Sequence, residues 1–522
     1  MSNKISLEKW IVIITVASAS LLQLIDTSIV NVALTAMMGN LGATLSEISW
    51  VITSYAAANV IMITLAGWMG ARFGRKRYFA TSIIVFTVAS VACGLSTNVW
   101  ELVFFRFIQG IGGGGIMTTA QSIIVETFPR EQMGFANAIY GMTVIIGPTI
   151  GPTMGGFITD NLNWNWTFFI NLPFGLFVTI MTLLYVREPH ERPRIGRMDW
   201  WGLLFLVVGI GALQVVLERG QDDGWFESPW ITLLSIMSAA GVVAFIWREL
   251  TVEYPIVNLR LFKNYSFSMG SIFGFVLGFG LFSSVFIIPR FSQVFLGLTA
   301  TASGIMLIPG SLMTAFCMPF VGKFTRKIPP QYMSAVGMTL FMLFCVLLSN
   351  LNGGSSQDEF FWPLMIRGVG MSLLFIPLTT ITLSGLKGVE LPQGTGLSNM
   401  VRQLGGSFGV AIMASFLSQR TIVHRAQLAD HISQFNPIAW DRYNAIVAGL
   451  QAKGTALVEA QRMALASLNG IVYKQAALLS YLDAFLVVGI FFAICIPVLL
   501  IYRGKPLDSK VPNAPSEPVH ME

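Results

Sequence analysis

The 522-residue chain is poor in charge: 11% of it is Asp, Glu, Lys or Arg and 54% is hydrophobic, whereas a soluble domain carries roughly 25% charged residues. So little charge excludes a protein with a fully solvated surface and leaves no room for a sizeable soluble catalytic domain. Cysteine is scarce too. Cys93, Cys317, Cys345 and Cys495 each sit in an apolar run without CxxC or Cys/His spacing, which argues against a disulfide framework or a zinc site. The four histidines (His190, His424, His431, His520) fall outside the apolar runs, and no paired acids or Ser/His pair lie within them, so an intramembrane enzyme is disfavoured. The net charge of +6 comes from Lys and Arg clustered at the ends of runs, not from one basic face, which speaks against a nucleic-acid partner.

What the chain has in abundance is apolar runs of about 20 residues, each long enough to cross a hydrocarbon core of about 30 Å as a helix. Fourteen spans are expected near 10–35, 48–69, 78–96, 101–125, 133–158, 166–186, 199–217, 230–248, 267–289, 301–321, 331–349, 361–384, 397–417 and 480–502. The first is too long for a signal peptide, lacks a small-residue cleavage site and contains an acid, so it reads as a retained span. The fold class is an all-α polytopic membrane protein. Basic loops at 71–77, 187–197 and 322–327, set against acidic ones at 218–227 and 355–359, place both termini in the cytoplasm. Residues 418–479 form a long amphipathic outer loop, and the polar tail 508–522 reads as a disordered end.

An internal repeat sets the architecture. "RFGRK" (72–76) matches "KFTRK" (323–327) at an offset of 251, "GIG" (110–112) matches "GVG" (368–370) at 258, and Gly155/Gly156 match Gly405/Gly406 at 250. The matches relate elements eight spans apart, as two six-helix halves with two inserted helices would. Parallel halves of this kind are a transporter plan with the substrate site at their interface. The boundaries are expected at 1–197 for the first bundle, 198–255 for the inserted helices, 256–505 for the second bundle with its loop 418–479, and 506–522 for the tail.

Asp26 lies in the middle of "LLQLIDTSIVNVAL" (21–34). A buried charge costs several kcal/mol unless it is paired, faces water or takes up a proton. About 16 residues into a span that starts inside, it lies some 24 Å up at about 1.5 Å per residue. Arg106, about five residues into the antiparallel fourth span, falls at a similar depth and is the obvious partner. A carboxyl that exchanges its proton as that partner shifts is a proton-coupling element; the bland alternative is a static ion pair. Gly147, Gly151, Gly155 and Gly156 with Pro148 and Pro152 in "GPTIGPTMGG" give a small-residue face suited to a helix that rocks against a neighbour, or to ordinary tight packing. "GIGGGG" (110–115) is no phosphate loop, since no Lys-Ser/Thr follows. Arg367 and Arg402, one or two turns inside their spans, are possible cavity residues, as is Asp483 near a span end, with snorkelling to the interface as the alternative.

These segments resemble the major facilitator superfamily, and within it the fourteen-span drug/proton antiporters of the EmrB/QacA type. The likeness rests on "LIDTSIVNVAL" (24–34), "GWMGARFGRKR" (67–77), "LVFFRFIQGIGGG" (102–114), "GPTIGPTMGG" (147–156), "WNWTFFINLPFG" (164–175), "PIVNLRLFKN" (255–264), "VRQLGGSFGVAI" (401–412) and "YLDAF" (481–485). The resemblance implies export of lipophilic or cationic drugs from the bacterial cytoplasm across the inner membrane in exchange for protons, with no organic cofactor. It implies coupling roles for Asp26 and Arg106 and a cytoplasmic gating loop at Gly67, Arg72, Gly74, Arg75 and Lys76. Ala71 stands where the family's loop usually has an acid, and Thr35 where a proline often closes the first motif. The long loop 418–479 resembles that of Gram-negative members that work with a periplasmic adaptor and an outer-membrane channel. The alternatives are an exporter of one defined metabolite, fatty acid or siderophore, and a non-transporting receptor or scaffold.

Overall fold

The computed structural model describes residues 6–188, 196, 198–325, 327–386, 390–433 and 435–501. The tail 508–522 with His520, residues 189–195 with His190, Arg197, and Arg326 of the third basic loop lie outside the described residues. The described chain is helical: α1 (Leu7–Leu41), α2 (Leu45–Phe73), α3 (Arg75–Gly94), α4 (Val99–Thr127), α5 (Arg130–Asn161), α6 (Trp166–Phe169), α7 (Asn171–Tyr185), α8 (Trp200–Leu206), α9 (Ala212–Arg219), α10 (Pro229–Thr251), α11 (Tyr265–Phe295), α12 (Ala300–Phe324), α13 (Pro330–Ser349), α14 (Phe361–Ser384), α15 (Glu390–Ala429), α16 (Pro437–Ala452) and α17 (Leu457–Ile501).

Among the described residues thirteen helical segments are long and apolar enough to cross a membrane. The fourteenth crossing is α4, 29 residues long, whose Glu101, Arg106, Gln109 and five glycines hold its hydropathy down. Two expected spans are interrupted. The sixth is split at Ile170 into α6 and α7, with Pro173 in the first turn of α7, where its missing N–H is tolerated. The seventh carries a π turn at Val207–Gly211 between α8 and α9. There the α10 backbone comes in so closely that a Cβ on Gly209 would lie 2.7 Å from the Val242 nitrogen, and Ser238 Oγ donates to the Gly209 carbonyl at 2.9 Å.

The expected outer loop 418–479 is largely a continuation of its two flanking spans. The 40 residues of α15 and the 45 of α17 reach roughly 60 and 67 Å at 1.5 Å per residue, about twice a bilayer core. No proline or glycine falls between Gly409 and Pro437, so polarity ends the apolar run without ending the helix. The connection proper is α16 with its flanking turns, and α16 packs on α17 through Val447, Ala460 and Ala464.

Helices α1–α7 form one bundle, with α4 between α2 and α3 and with α1 against α5 and α7. Helices α11–α15 and α17 form a second, and the two meet along α5/α12 on one side and α2/α15 on the other. The inserted crossings lie over the α2/α15 seam, touching both halves. On α15, Ser407 Oγ receives a bond of 2.9 Å from Gln214 Nε2, and Ser415 Oγ one of 2.9 Å from Trp225 Nε1. On the α2 side, Arg219 donates to the Ser46 carbonyl at 2.9 Å.

Candidate functional site

Asp26 and Arg106 are brought together. Both are almost wholly buried, and Arg106 Nη1 donates to Asp26 Oδ2 at 2.7 Å. The other carboxylate oxygen accepts from Gln109 Nε2 at 2.9 Å and from Asn171 Nδ2 at 2.6 Å. Arg106 also donates to Gln109 Oε1 at 2.8 Å and, through Nε, to the Val51 carbonyl at 3.4 Å. Its guanidinium lies 4.3 Å from the centre of the Tyr55 ring and 5.7 Å from that of Phe168. Asn171 is held in turn by Ser90 Oγ, which donates to the Phe168 carbonyl at 2.9 Å. Six helices therefore contribute: α1, α2, α3, α4, α6 and α7.

Local sequence explains how α4 enters this cluster. Arg106 and Gln109 are three residues apart and share a helix face. One turn on, the glycines of "GIGGGG" remove the side chains that would hold neighbours off. A Cβ on Gly110 would lie 2.9 Å from that of Ala58, and one on Gly112 would lie 2.6 Å from the Phe86 nitrogen. The glycine run is thus a packing surface for α2 and α3.

The motif of α5 serves two neighbours, not the single face read from sequence. Gly147, Gly151 and Gly155 press on Leu24, Ser28 and Ile29 of α1, flanking Asp26. Gly156 faces Thr301 of α12 across the seam, where Thr149 Oγ1 also meets Ser311 Oγ at 2.7 Å. Pro148 and Pro152 lie within a continuous helix.

In the 67–77 loop a Cβ on Gly67 would lie 3.1 Å from Gln393 Cα, so α2 and α15 touch backbone to backbone. Gly74 adopts φ 92°, a left-handed conformation that favours glycine, and a Cβ there would lie 2.8 Å from Glu188 Cδ. Arg75 pairs with Glu126 at the end of α4, so an acid from another helix serves this arginine although Ala71 is apolar. Arg72 is exposed and Lys76 half-buried, and among the described residues neither forms an ion pair.

Arg367 and Arg402 are buried in the protein interior, so neither reaches the interface by snorkelling. Asp483 departs from the cavity expectation. It ties α15 to α17, accepting from Arg420 Nε at 2.8 Å and meeting His424 Nε2 at 2.8 Å, and is partly exposed. Sequence reasoning missed Gln109, Asn171, Ser90 and Tyr55. Their signal was an amide or hydroxyl inside an apolar run, a pattern shared by many residues that only pack.

A sequence profile of the Major Facilitator Superfamily matches residues 16–410. The chain belongs to this superfamily. As a facilitator it is a multi-pass membrane transporter, not an enzyme. It is 37% identical over 442 residues to the multidrug export protein EmrB of Escherichia coli strain K12, covering 84% of this chain and 86% of that one. It is 31% identical to the fatty acid resistance protein FarB of Neisseria gonorrhoeae, covering 95% of this facilitator and 96% of FarB. Its fold is similar, with a TM-score of 0.55 and 18% identity, to an inward-facing bacterial homologue of the human lysosomal transporter Spinster, covering 96% of this chain and all of that one.

Proposed function

We propose that this facilitator is a proton-coupled multidrug exporter of the bacterial inner membrane that works by alternating access, with both termini in the cytoplasm. The observation that carries the reading is the buried carboxylate of Asp26, fastened by donors from α4 and α7. In this arrangement three N–H donors occupy most of the carboxylate's lone-pair sites, and withdrawal of Arg106, Gln109 or Asn171 opens more room for a proton. A movement of α4 or α7 against α1 frees an oxygen, admits a proton and weakens the hold on Arg106. The rocking of one half on the other thereby becomes linked to proton uptake. Similarity to a multidrug export protein supplies the cargo class, and the basic loops, set against acidic ones at the opposite end, supply the orientation.

The test is transport by the purified protein in proteoliposomes under an imposed pH gradient, across a panel of lipophilic dyes and drugs. Uphill movement of several unrelated compounds, lost when the gradient is collapsed, is expected. Movement that ignores the gradient sinks the coupling, and restriction to one compound favours a dedicated exporter, the reading that likeness to FarB supports.

The proposal extends to a periplasmic adaptor and outer-membrane channel as partners. The extension beyond the second bundle exposes Phe435, Ile438, Trp440, Val458 and Leu465, apolar surface of the kind that partners cover. Replacing residues 430–456 by a short Gly/Ser turn is expected to abolish co-purification of the adaptor while leaving transport in proteoliposomes intact. Unchanged co-purification would rule out Phe435, Ile438 and Trp440 as the docking surface.

A further inference from the structure

Among the described residues the buried Arg367 and Arg402 meet no carboxylate, yet neutral partners hold both. Arg367 Nε donates to Ser284 Oγ at 3.1 Å, and Arg402 Nη2 donates to Asn399 Oδ1. Lys323 and Lys327, at the end of α12 that carries the basic loop, have neither kind of partner. Both are exposed, and among the described residues their side chains form no ion pair or hydrogen bond.

Their loop repeats the "RFGRK" of the first half without its acid. In the first half Arg75 pairs with Glu126 at the end of α4. The residue 258 positions after Glu126 is Ser384, at the end of α14, and no Asp or Glu occurs between Glu253 and Asp358. The second half therefore presents a basic loop whose positive charge the neighbouring chain does not balance.

Beside these lysines a groove of about 650 Å³ runs between α12, α13 and α14. Phe316, Phe320 and Phe324 form one wall, Tyr332 and Val336 the other, and Leu373 of α14 lies at its floor. The accessible lining is wholly apolar, and Ile328, next to Lys327, borders the groove at its basic end. Lys323 follows Phe316 by seven residues, two helical turns, and so stands on the same edge of α12. From Phe316 to Phe324 the groove rises about 12 Å at 1.5 Å per residue, most of the hydrocarbon depth of one leaflet, which is about half of 30 Å. An apolar channel nearly one leaflet deep with two unbalanced ammonium groups at its rim matches an acyl chain beneath an anionic head, since basic clusters at a membrane surface attract anionic lipids.

We propose that this groove binds an anionic glycerophospholipid of the adjoining leaflet, with an acyl chain along the three phenylalanines and the phosphate at Lys323 and Lys327. The site lies apart from the Asp26 cluster and makes no use of the export reading, so either can fail without the other.

The test is native mass spectrometry of the purified, delipidated full-length protein in detergent, titrated with dioleoylphosphatidylglycerol or dioleoylphosphatidylcholine, which share their chains and differ in head group. The wild type is expected to hold one phosphatidylglycerol at least about tenfold more tightly than phosphatidylcholine, the margin that two lysines near an anionic head provide. Lys323→Gln/Lys327→Gln is expected to erase that margin and leave phosphatidylcholine binding unchanged. Val336→Trp, which fills the groove from an exposed position, is expected to weaken phosphatidylglycerol severalfold with both lysines in place. Equal affinity for the two lipids in the wild type, or a preference that survives the double lysine variant, overturns the head-group site. An unaltered phosphatidylglycerol affinity in Val336→Trp overturns the groove. Displacement of phosphatidylglycerol by glycerol 3-phosphate at similar concentration also overturns it, because the lysines would then hold a free anion without any chain.

Discussion

Asp26→Asn is expected to abolish uphill transport and to leave a protein that at most equilibrates its cargo. The asparagine fills the same space but replaces one acceptor oxygen by an NH2 group, which then faces the N–H groups of Arg106, Gln109 or Asn171. It also strands the Arg106 guanidinium, and breaking a buried pair from one side costs roughly 3–5 kcal/mol. A lower unfolding temperature is therefore expected with the lost coupling, and by itself would be ambiguous. The double variant Asp26→Asn/Arg106→Gln separates the two effects. With both charges gone no ion is left unpaired, so most of the stability is expected to return while coupling stays absent. The measurement is gradient-driven efflux at matched protein incorporation, alongside thermal unfolding of the wild type and both variants. If the double variant pumps as the wild type does, Asp26 is a structural charge and coupling resides in another group.

The second large effect is expected at the α5/α12 seam. A Cβ on Gly322 would lie 2.5 Å from the Gly134 carbonyl oxygen, and one on Gly134 as close to that of Gly322. Valine at Gly322 must push the two backbones apart at the end of the bundle that carries the basic loops. Overpacking of this kind costs typically 1–3 kcal/mol, enough to move a two-state equilibrium about 5- to 150-fold toward a state open at that end. A cysteine introduced at Asn137, buried on α5, reports the opening once Cys93, Cys317, Cys345 and Cys495 are replaced. Its labelling by a polar maleimide is expected to rise at least severalfold with Gly322→Val, and transport to fall. Gly151→Val is the contrasting variant, because it collides with Ser28 inside one half. It is expected to lower the unfolding temperature without selectively exposing position 137. Unchanged labelling and normal transport in Gly322→Val would mean that separation of these two helix ends plays no part in the cycle.

Much of the architecture was legible in the sequence. Spans can be read one at a time, because crossing a bilayer is a matter of length and polarity along the chain. Asp26 and Arg106 could be matched across 80 residues because both are costly in a membrane and the antiparallel path of α1 and α4 puts them at one depth. The extensions of α15 and α17 were hidden for a related reason: hydropathy marks where a helix leaves the membrane, not where it ends. The partners of Asp483 were not legible, because Arg420 and His424 lie on the extension of α15 that hydropathy reads as loop.

The sequence by itself determined a fourteen-span membrane protein with one acid that must be explained, and its repeats pointed to two related halves, since spans follow from local hydrophobicity and the acid stands out by the cost of isolated charge. Only the tertiary structure decided which polar groups satisfy one another. Gln109, Asn171 and Ser90 became part of the Asp26 network, the α5 glycines divided between α1 and α12, the inserted helices settled over the α2/α15 seam, and Arg367 and Arg402 were left without a carboxylate. Each of these outcomes depends on helix rotation and on neighbours distant in the chain, and a buried charge or amide is defined by what meets it in space.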